Sequence, residues 1–404
     1  MSRLNGQLHK STSGSVTWPK REIQAEWGLL ARCLNDPSWV HRQGVEEQER
    51  VLKLAGAHAV GPLLYYRLET TGNLNGLTDS VVDGLRMMYL RAAARNLVLN
   101  GQVSSLGQAL EKAKVPVLFV KGAILASVVY ADPAFRPMGD IDMVARPDRE
   151  DEAFRVLEDL GYVPTEVESF GSFTRETVHA RAFHRPSRNG LSLELHHDLV
   201  GGVSKTTTEA GWFWEHTTMV TIQDRPTLTL NPEATLAHLC AHLIGHHGWS
   251  PRFVWVYDIH VLLEKYQESF DWDRFTSLVH QLSWQASCGS ALRAARAYLE
   301  TPIPETVLGD LDHASRRFRL VEWQARWPHT GVVQTVADCW GMSDLRNRTR
   351  FVWHTLLPSR EYMISRYGLR DARFWPFLYP YRWGIMLREA GKTARVLWHA
   401  HSGE

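Results

Sequence analysis

Asp140 and Asp142 stand one residue apart in Arg136-Pro-Met-Gly-Asp140-Ile-Asp142-Met-Val. In an extended strand successive side chains point to opposite faces, so the two carboxylates share one face while Ile141 and Met143 point into a core. Two anionic oxygen ligands side by side suit a hard cation such as Mg2+. Just upstream, Val117-Leu-Phe-Val-Lys121-Gly122 reads as a short buried strand ending in a Lys-Gly turn before a helix. Free backbone N–H groups and the helix dipole favour phosphate at such a turn, and Lys121 adds a positive charge. Farther on, Leu193 and Leu195 alternate with Ser192, Glu194 and His196, so Glu194 is presented on a strand face as Asp140 and Asp142 are. Three carboxylates on neighbouring strands form the kind of cluster that holds two metals in nucleotidyl transfer. One metal activates the attacking hydroxyl and the other stabilises the leaving pyrophosphate.

Other side chains are candidates around this cluster. Arg136 is a fork that can clamp a triphosphate or a carboxylate, or can form a structural ion pair with Asp140 or Asp142. His196 shares the parity of Glu194 and can line the same site, whereas His197 points the other way. A second cluster, His238, His242, His246 and His247, lies in Ala237-His-Leu-Cys-Ala-His-Leu-Ile-Gly-His-His-Gly-Trp249. On a helix the first three share a face at four-residue spacing, which permits zinc geometrically. No His-Glu-x-x-His pattern supports a metalloprotease, and Cys240 points away from that face. Most of the 16 tryptophans are expected to pack; Trp212 and Trp214 would share a face if that segment were extended. Each of these residues has a plainer reading: solvated strand carboxylates, a surface lysine, a glutamate paired with an arginine, packed histidines. An isolated Asp-x-Asp also occurs in calcium sites and in glycosyltransferases, but a glycosyltransferase gives no role to Glu194 or the Lys-Gly turn.

These groups must be positioned by a chain of 404 residues, long enough for two or three domains. Residues 1–20 read as a polar flexible arm, 21–114 as an N-terminal helical region, 115–230 as an α/β core and 231–404 as a C-terminal helical domain. Within the core, strands are expected at 115–120, 140–145, 177–184 and 191–199, with a hairpin turn at 186–190. Helices are expected at 123–130, 148–161, 231–264, 272–300, 313–326 and 383–399. The aromatic-rich stretch 374–387 is shorter than a bilayer span and interrupted by Arg, and reads as buried helix. Lys and Arg number 45 against 44 acidic residues, a net +1 that does not favour wholesale nucleic-acid binding. Four scattered cysteines without Cys-x-x-Cys spacing, and a Met1 to Ser15 segment without a signal-peptide run, fit a cytoplasmic location with no membrane partner.

The ordered set Lys121-Gly122, Tyr130, Arg136-Pro-Met-Gly-Asp140-Ile-Asp142, Gly161-Tyr162 and Leu193-Glu194-Leu195-His196 resembles the uncharacterised nucleotidyltransferase-like proteins of the DNA polymerase β superfamily. Val60-Gly-Pro-Leu-Leu64 fits it too, and the resemblance spans roughly residues 25 to 265. It implies an α+β, mostly helical fold with a small mixed-sheet polymerase β-like core flanked by N-terminal and C-terminal helical regions. It implies Asp140, Asp142 and Glu194 as catalytic metal ligands, and Lys121 and Gly122, with Arg136, on the nucleotide side. Most of the superfamily carries Gly-Ser where this chain has Lys-Gly, which removes a hydroxyl contact to phosphate. His242, His246 and Trp249, followed by Asp258-Ile259, match a family pattern that borders the nucleotide or acceptor cleft, as does His196 by its parity. The implied activity is Mg2+-dependent transfer of an NMP from an NTP, ATP first, to a hydroxyl or phosphate of a small-molecule acceptor. Two Mg2+ ions are implied, with Mn2+ as a substitute. The alternatives are a non-catalytic nucleotide-binding helper protein and a toxin-type nucleotidyltransferase acting on tRNA or protein.

Overall fold

The computed structural model describes residues 18–146, 148–165, 180–186, 192–196, 199, 211–248, 250–312, 332–333, 335–336, 339, 345–368 and 372–402. Most of the N-terminal arm, the turn at 187–190, His197, Trp249 and the helix expected at 313–326 lie outside the described residues. The fold is mostly helical with a small mixed sheet.

Pro116 cannot donate to a strand ladder, and β1 begins immediately after it at Val117–Val120. Asp140–Ala145 forms β2, Val163–Pro164 β3, Ala180–His184 β4 and Ser192–His196 β5. Their order in the sheet is β1-β2-β5-β4-β3. β2 and β5 run parallel, whereas every other neighbouring pair is antiparallel. A separate hairpin of β6, Thr217–Ile222, and β7, Arg225–Leu230, lies beside β1.

The alternation in β2 sets which face carries chemistry. Ile141, Met143 and Ala145 pack with Val117, Phe119, Leu193 and Leu195 in one core. Its other wall comes from the helix Asp79–Lys112, whose buried Leu99, Val103, Leu106 and Leu110 recur at helical spacing. Ala153 and Leu157 of the helix Glu150–Asp159 complete that core. Leu118, Val120 and Val144 face the opposite way into a larger helical core. Full burial of each large aliphatic side chain stabilises by roughly 1.5–3 kcal/mol, so a one-residue slip of β2 would lose several such terms and bury the carboxylates.

Several expected elements differ in detail. The helix expected at 123–130 is one α-turn, Gly122–Ile124, followed by a π-turn, Leu125–Val129, closed by the Tyr130 N–H donating to the Leu125 carbonyl. The extra residue in this turn changes the direction in which Tyr130 enters the core. The run 231–264 breaks into Pro232–His247 and Phe253–Tyr266 because Gly248 and Pro251 interrupt it. Residues 272–300 divide at Ser283, which adopts a left-handed conformation between Trp272–Leu282 and Gln285–Leu299. Trp212 and Trp214 lie in a 3-10 turn, Trp212–Glu215, and so do not alternate as strand residues.

The largest departure concerns residues 374–387. Read as buried helix, they instead form the 3-10 segment Ala372–Phe377 and the start of the helix Leu378–Ser402, with Phe374, Phe377 and Leu387 55%, 73% and 74% exposed. Length and Arg content exclude a span but do not say what covers the aromatic rings, and among the described residues nothing buries these three. No described helix is long and apolar enough to cross a membrane.

Candidate active site

Strand register brings the carboxylates together. β2 and β5 pair so that Asp140 lies opposite Ser192, Asp142 opposite Glu194 and Val144 opposite His196. Ligand atoms of Asp142, Glu194 and His196 all fall within 4.8 Å of one another. Asp140, two residues earlier on the same strand face, lines the same cleft. Lys121, at the end of β1, takes a left-handed backbone with φ 53°, a conformation costly for a non-glycine residue. Its Nζ reaches Asp142 Oδ1 at 2.8 Å, and His196 Nε2 sits 2.9 Å from the same oxygen. His196 Nε2 is also 3.3 Å from Glu194 Oε2.

The loop before β2 is held from outside the sheet. Buried Asn96, on the long helix, donates to the carbonyls of Pro133 at 2.6 Å and Arg136 at 2.8 Å, and accepts from the Met138 N–H at 3.2 Å. Arg95 Nε donates to the Met138 carbonyl at 2.9 Å. These bonds fix the backbone immediately before Asp140.

The charge balance is negative. Burial, then Asp142, then Glu194, push the Asp140 carboxyl up to about 6. Burial also opposes ionisation of Asp142, but the Lys121 ammonium and the His196 hydrogen bond outweigh it and hold that carboxyl well below the usual range. The His196 hydrogen bond lowers Glu194. His196 itself is penalised by burial and by Lys121, yet its two carboxylate partners leave it raised. Three carboxylates therefore face the Lys121 ammonium and a single imidazole, His196. A divalent cation is the group that such an oxygen-rich, under-compensated set accommodates, and an imidazole beside it is an acceptable fourth donor. The donor set fits a divalent metal, with His196 drawn into the tight cluster alongside Asp142 and Glu194.

Across a cleft of about 430 Å3, His242, His246, His247, Arg252 and Trp255 face Lys121, Gly122, Arg136, Asp140, Asp142 and Glu194. This is within the size of small-molecule sites, roughly 300–1,000 Å3. The wall is stacked: His242 on His246 at 5.0 Å between ring centres, and His247 on Trp255 at 3.8 Å. The helix carrying the histidines starts with Asn231 accepting from the Ala234 N–H and with Pro232 at its first position. His246 and His247 both reach the cleft, whereas His238 is buried beneath it. Arg252 and Trp255 were not singled out as cleft residues by the sequence, since nothing local distinguishes them, whereas His247 stood in the second histidine cluster.

Arg136 does not pair with Asp140 or Asp142. Its Nε and Nη2 grip Asp258 at 2.8 Å and 2.9 Å, its Nη1 donates to the Pro137 carbonyl at 2.7 Å, and the Tyr130 hydroxyl donates to Asp258 at 2.7 Å. Asp258 is fully buried on the helix Phe253–Tyr266. Asp258, at 0% exposure, captures the guanidinium, whereas Asp142 already has the Lys121 ammonium and Asp140 stays partly exposed. Burial would lower the Arg136 pKa, but Asp258 and Tyr130 hold it above its ordinary value. Burial, then Asp258, raises the Tyr130 phenol well above its usual range. The helix is itself anchored by His58, whose Nδ1 accepts from the Phe253 N–H at 3.1 Å and whose carbonyl accepts from Val254.

A pH prediction follows from the histidines under the cleft. Burial, then Lys121, hold His238 and His242 well below the ordinary histidine value. The unfolded chain takes up more protons than the folded one below about 6.5, so this part of the stability is full above that pH and declines as pH falls. His196 has the opposite sign: raised, its contribution is complete below about 6.5 and is lost only as pH rises through its folded value. Urea unfolding between pH 6.5 and 5.5 should therefore lose about 1 kcal/mol less in His238→Leu than in the parent. Identical slopes would contradict a neutral buried His238.

The carboxylate pair on β2, Glu194 on the neighbouring β5 and the Lys121-Gly122 turn after β1 thus line one cleft. The sequence pattern of the Uncharacterised nucleotidyltransferase family matches residues 45–300, more than half of the chain, and the chain belongs to that family. Among solved structures, it is similar to an antigenic nucleotidyltransferase-like protein from Paracoccidioides brasiliensis at 19% identity, covering 48% of this chain and 92% of that one, with a TM-score of 0.31. It is also similar to the antibiotic-resistance factor ANT(2'')-Ia at 15% identity, covering 50% of this chain and 96% of that one, with a TM-score of 0.29. No curated protein matches the chain.

Proposed function

We propose that this protein is a Mg2+-dependent nucleotidyltransferase that moves a nucleoside monophosphate from an NTP, ATP first, to a hydroxyl or phosphate of a small-molecule acceptor. The observation that carries the reading is the strand pairing that sets Asp142 against Glu194, with Asp140, His196 and Lys121 on the same cleft wall. Asp140, Asp142 and Glu194 would hold the cation, with His196 orienting Asp142 and Glu194. When bound there, a divalent ion supplies neutralisation of the triphosphate and a more acidic acceptor hydroxyl. Lys121, once drawn away from Asp142, offers its ammonium to phosphate. Arg136 has five N–H donors and turns to the triphosphate those not used on Asp258 and Pro137. The neutral imidazole of His242 accepts a hydrogen bond from the acceptor, and His246 with Trp255 shapes the wall that orients it. Most of the rate enhancement then comes from positioning and charge stabilisation.

One observation favours a second reading. The Lys121 ammonium already satisfies Asp142 at 2.8 Å, as in a protein that binds nucleotide to help a pathway without turning it over. Pyrophosphate release from ATP and Mg2+ with pooled metabolite extract separates the two. Release only when extract is present supports the transferase, and nucleotide binding without release in any extract supports the helper.

A further inference from the structure

We propose that residues 345–402 form a membrane-surface element that binds bilayers rich in anionic lipid. The inference is independent of the chemistry assigned to the cleft. From residue 345 to 402 the sequence holds eleven arginines and lysines against three acidic residues, a net +8. The whole chain is +1, so everything outside this element carries −7. Half of the large apolar side chains that are exposed among the described residues also lie here, between Leu345 and Leu387. Charge and exposed apolar surface are thus concentrated in one stretch of the sequence.

The element is held in a defined shape. The Tyr379 hydroxyl donates to the Pro358 carbonyl at 2.8 Å, Arg382 Nη2 to the Thr355 carbonyl at 3.0 Å and Trp383 Nε1 to the Leu356 carbonyl at 2.9 Å. These bonds tie the helix Leu378–Ser402 to the end of the helix Leu345–Leu356. The outward face is then graded. Phe377, just before the helix, and Tyr381 lie four residues apart, 73% and 60% exposed, and Leu387, 74% exposed, flanks them. Gly384 and Gly391 keep that face low, and Arg388, Lys392 and Arg395 continue it at the basic end, where Glu389 offsets one charge by pairing with Arg388 and Lys392. Apolar side chains followed by basic ones on a single face suit an interfacial helix, with rings at the acyl boundary and cations on phosphate head groups. Since no described helix can cross a bilayer, the element lies on the surface.

The same features argue against other occupants. A second copy would set one +8 surface against another, and like charges across an interface cost affinity. Leu345, Leu356, Val352 and Leu387 are exposed beside the rings, and aliphatic side chains match hydrocarbon but offer nothing for a nucleic-acid base to stack on.

The test is sedimentation of the full chain with vesicles of phosphatidylcholine alone and with one-third phosphatidylglycerol. Retention is expected on the anionic vesicles only, weakening as salt is raised. The charge reversal Arg388→Glu/Lys392→Glu/Arg395→Glu should lower partitioning at least about a hundredfold, and Phe377→Ser/Leu387→Ser at least about tenfold. Met87→Ser/Leu97→Ser, which alters exposed apolar residues elsewhere, should leave it unchanged. No retention on anionic vesicles, equal retention of all variants, or concentration-dependent dimerisation abolished by Phe377→Ser/Leu387→Ser without lipid binding would each overturn the proposal. So would retention of a tRNA mixture in place of vesicles.

Discussion

Replacing Asp142 by asparagine is expected to lower pyrophosphate release by about 1,000-fold or more while leaving the fold in place. Asp142 is the carboxylate on which the centre converges: Lys121 and His196 both contact Oδ1, and Glu194 faces it across the β2–β5 pair. Asparagine keeps the shape and one acceptor oxygen but removes the charge that a cation requires. Breaking a buried ion pair costs about 3–5 kcal/mol when the partner is stranded. Here the partner is not stranded, because Asp140 and Glu194 also act on Lys121 and an amide oxygen still accepts its hydrogen bond. The loss in urea unfolding should stay within about 2 kcal/mol. Near-normal turnover in a folded Asp142→Asn protein would remove the carboxylate from the reaction.

The second large effect is on stability. Asp258→Ala should destabilise the protein by about 3–5 kcal/mol, since it strands the Arg136 guanidinium, 11% exposed at the side chain, and leaves the Tyr130 hydroxyl without its acceptor. Asp258→Asn should cost less, because it preserves one acceptor for Tyr130. The Arg136 side chain spans 122 residues of sequence to reach Asp258, so this carboxylate joins the loop before β2 to the helix that supplies Trp255. An Asp258→Ala cost under about 1 kcal/mol would mean that the pair contributes little to the fold.

What the sequence revealed and what it hid divide along a physical line. The shared face of Asp140 and Asp142, and the bounds of β2, follow from a period-two alternation contained within six residues. The likeness of Glu194 to the Asp pair follows from the same alternation, and the parallel register then sets it opposite Asp142. The partner of Arg136 was hidden because a buried carboxylate on a distant helix competes for the guanidinium, and no local pattern ranks one acid above another. Lys121 was read as a phosphate ligand; its ion pair with Asp142 depends on how far β1 extends beside β2. The π-turn after Gly122 leaves the apolar pattern of 123–130 intact while shifting Tyr130, so periodicity alone does not reveal it. Residues 374–387 were read as buried because aromatic content records apolarity and not what covers it.

The most direct test of a metal-dependent nucleotide site is calorimetric titration of ATP into the protein with and without Mg2+, repeated with Asp142→Asn. Binding to the parent should require Mg2+ and should be lost, or weakened by at least about tenfold, in the variant. Metal-independent binding of equal strength in both proteins, or no binding of any NTP to the parent, would contradict a nucleotide site built on Asp140, Asp142 and Glu194.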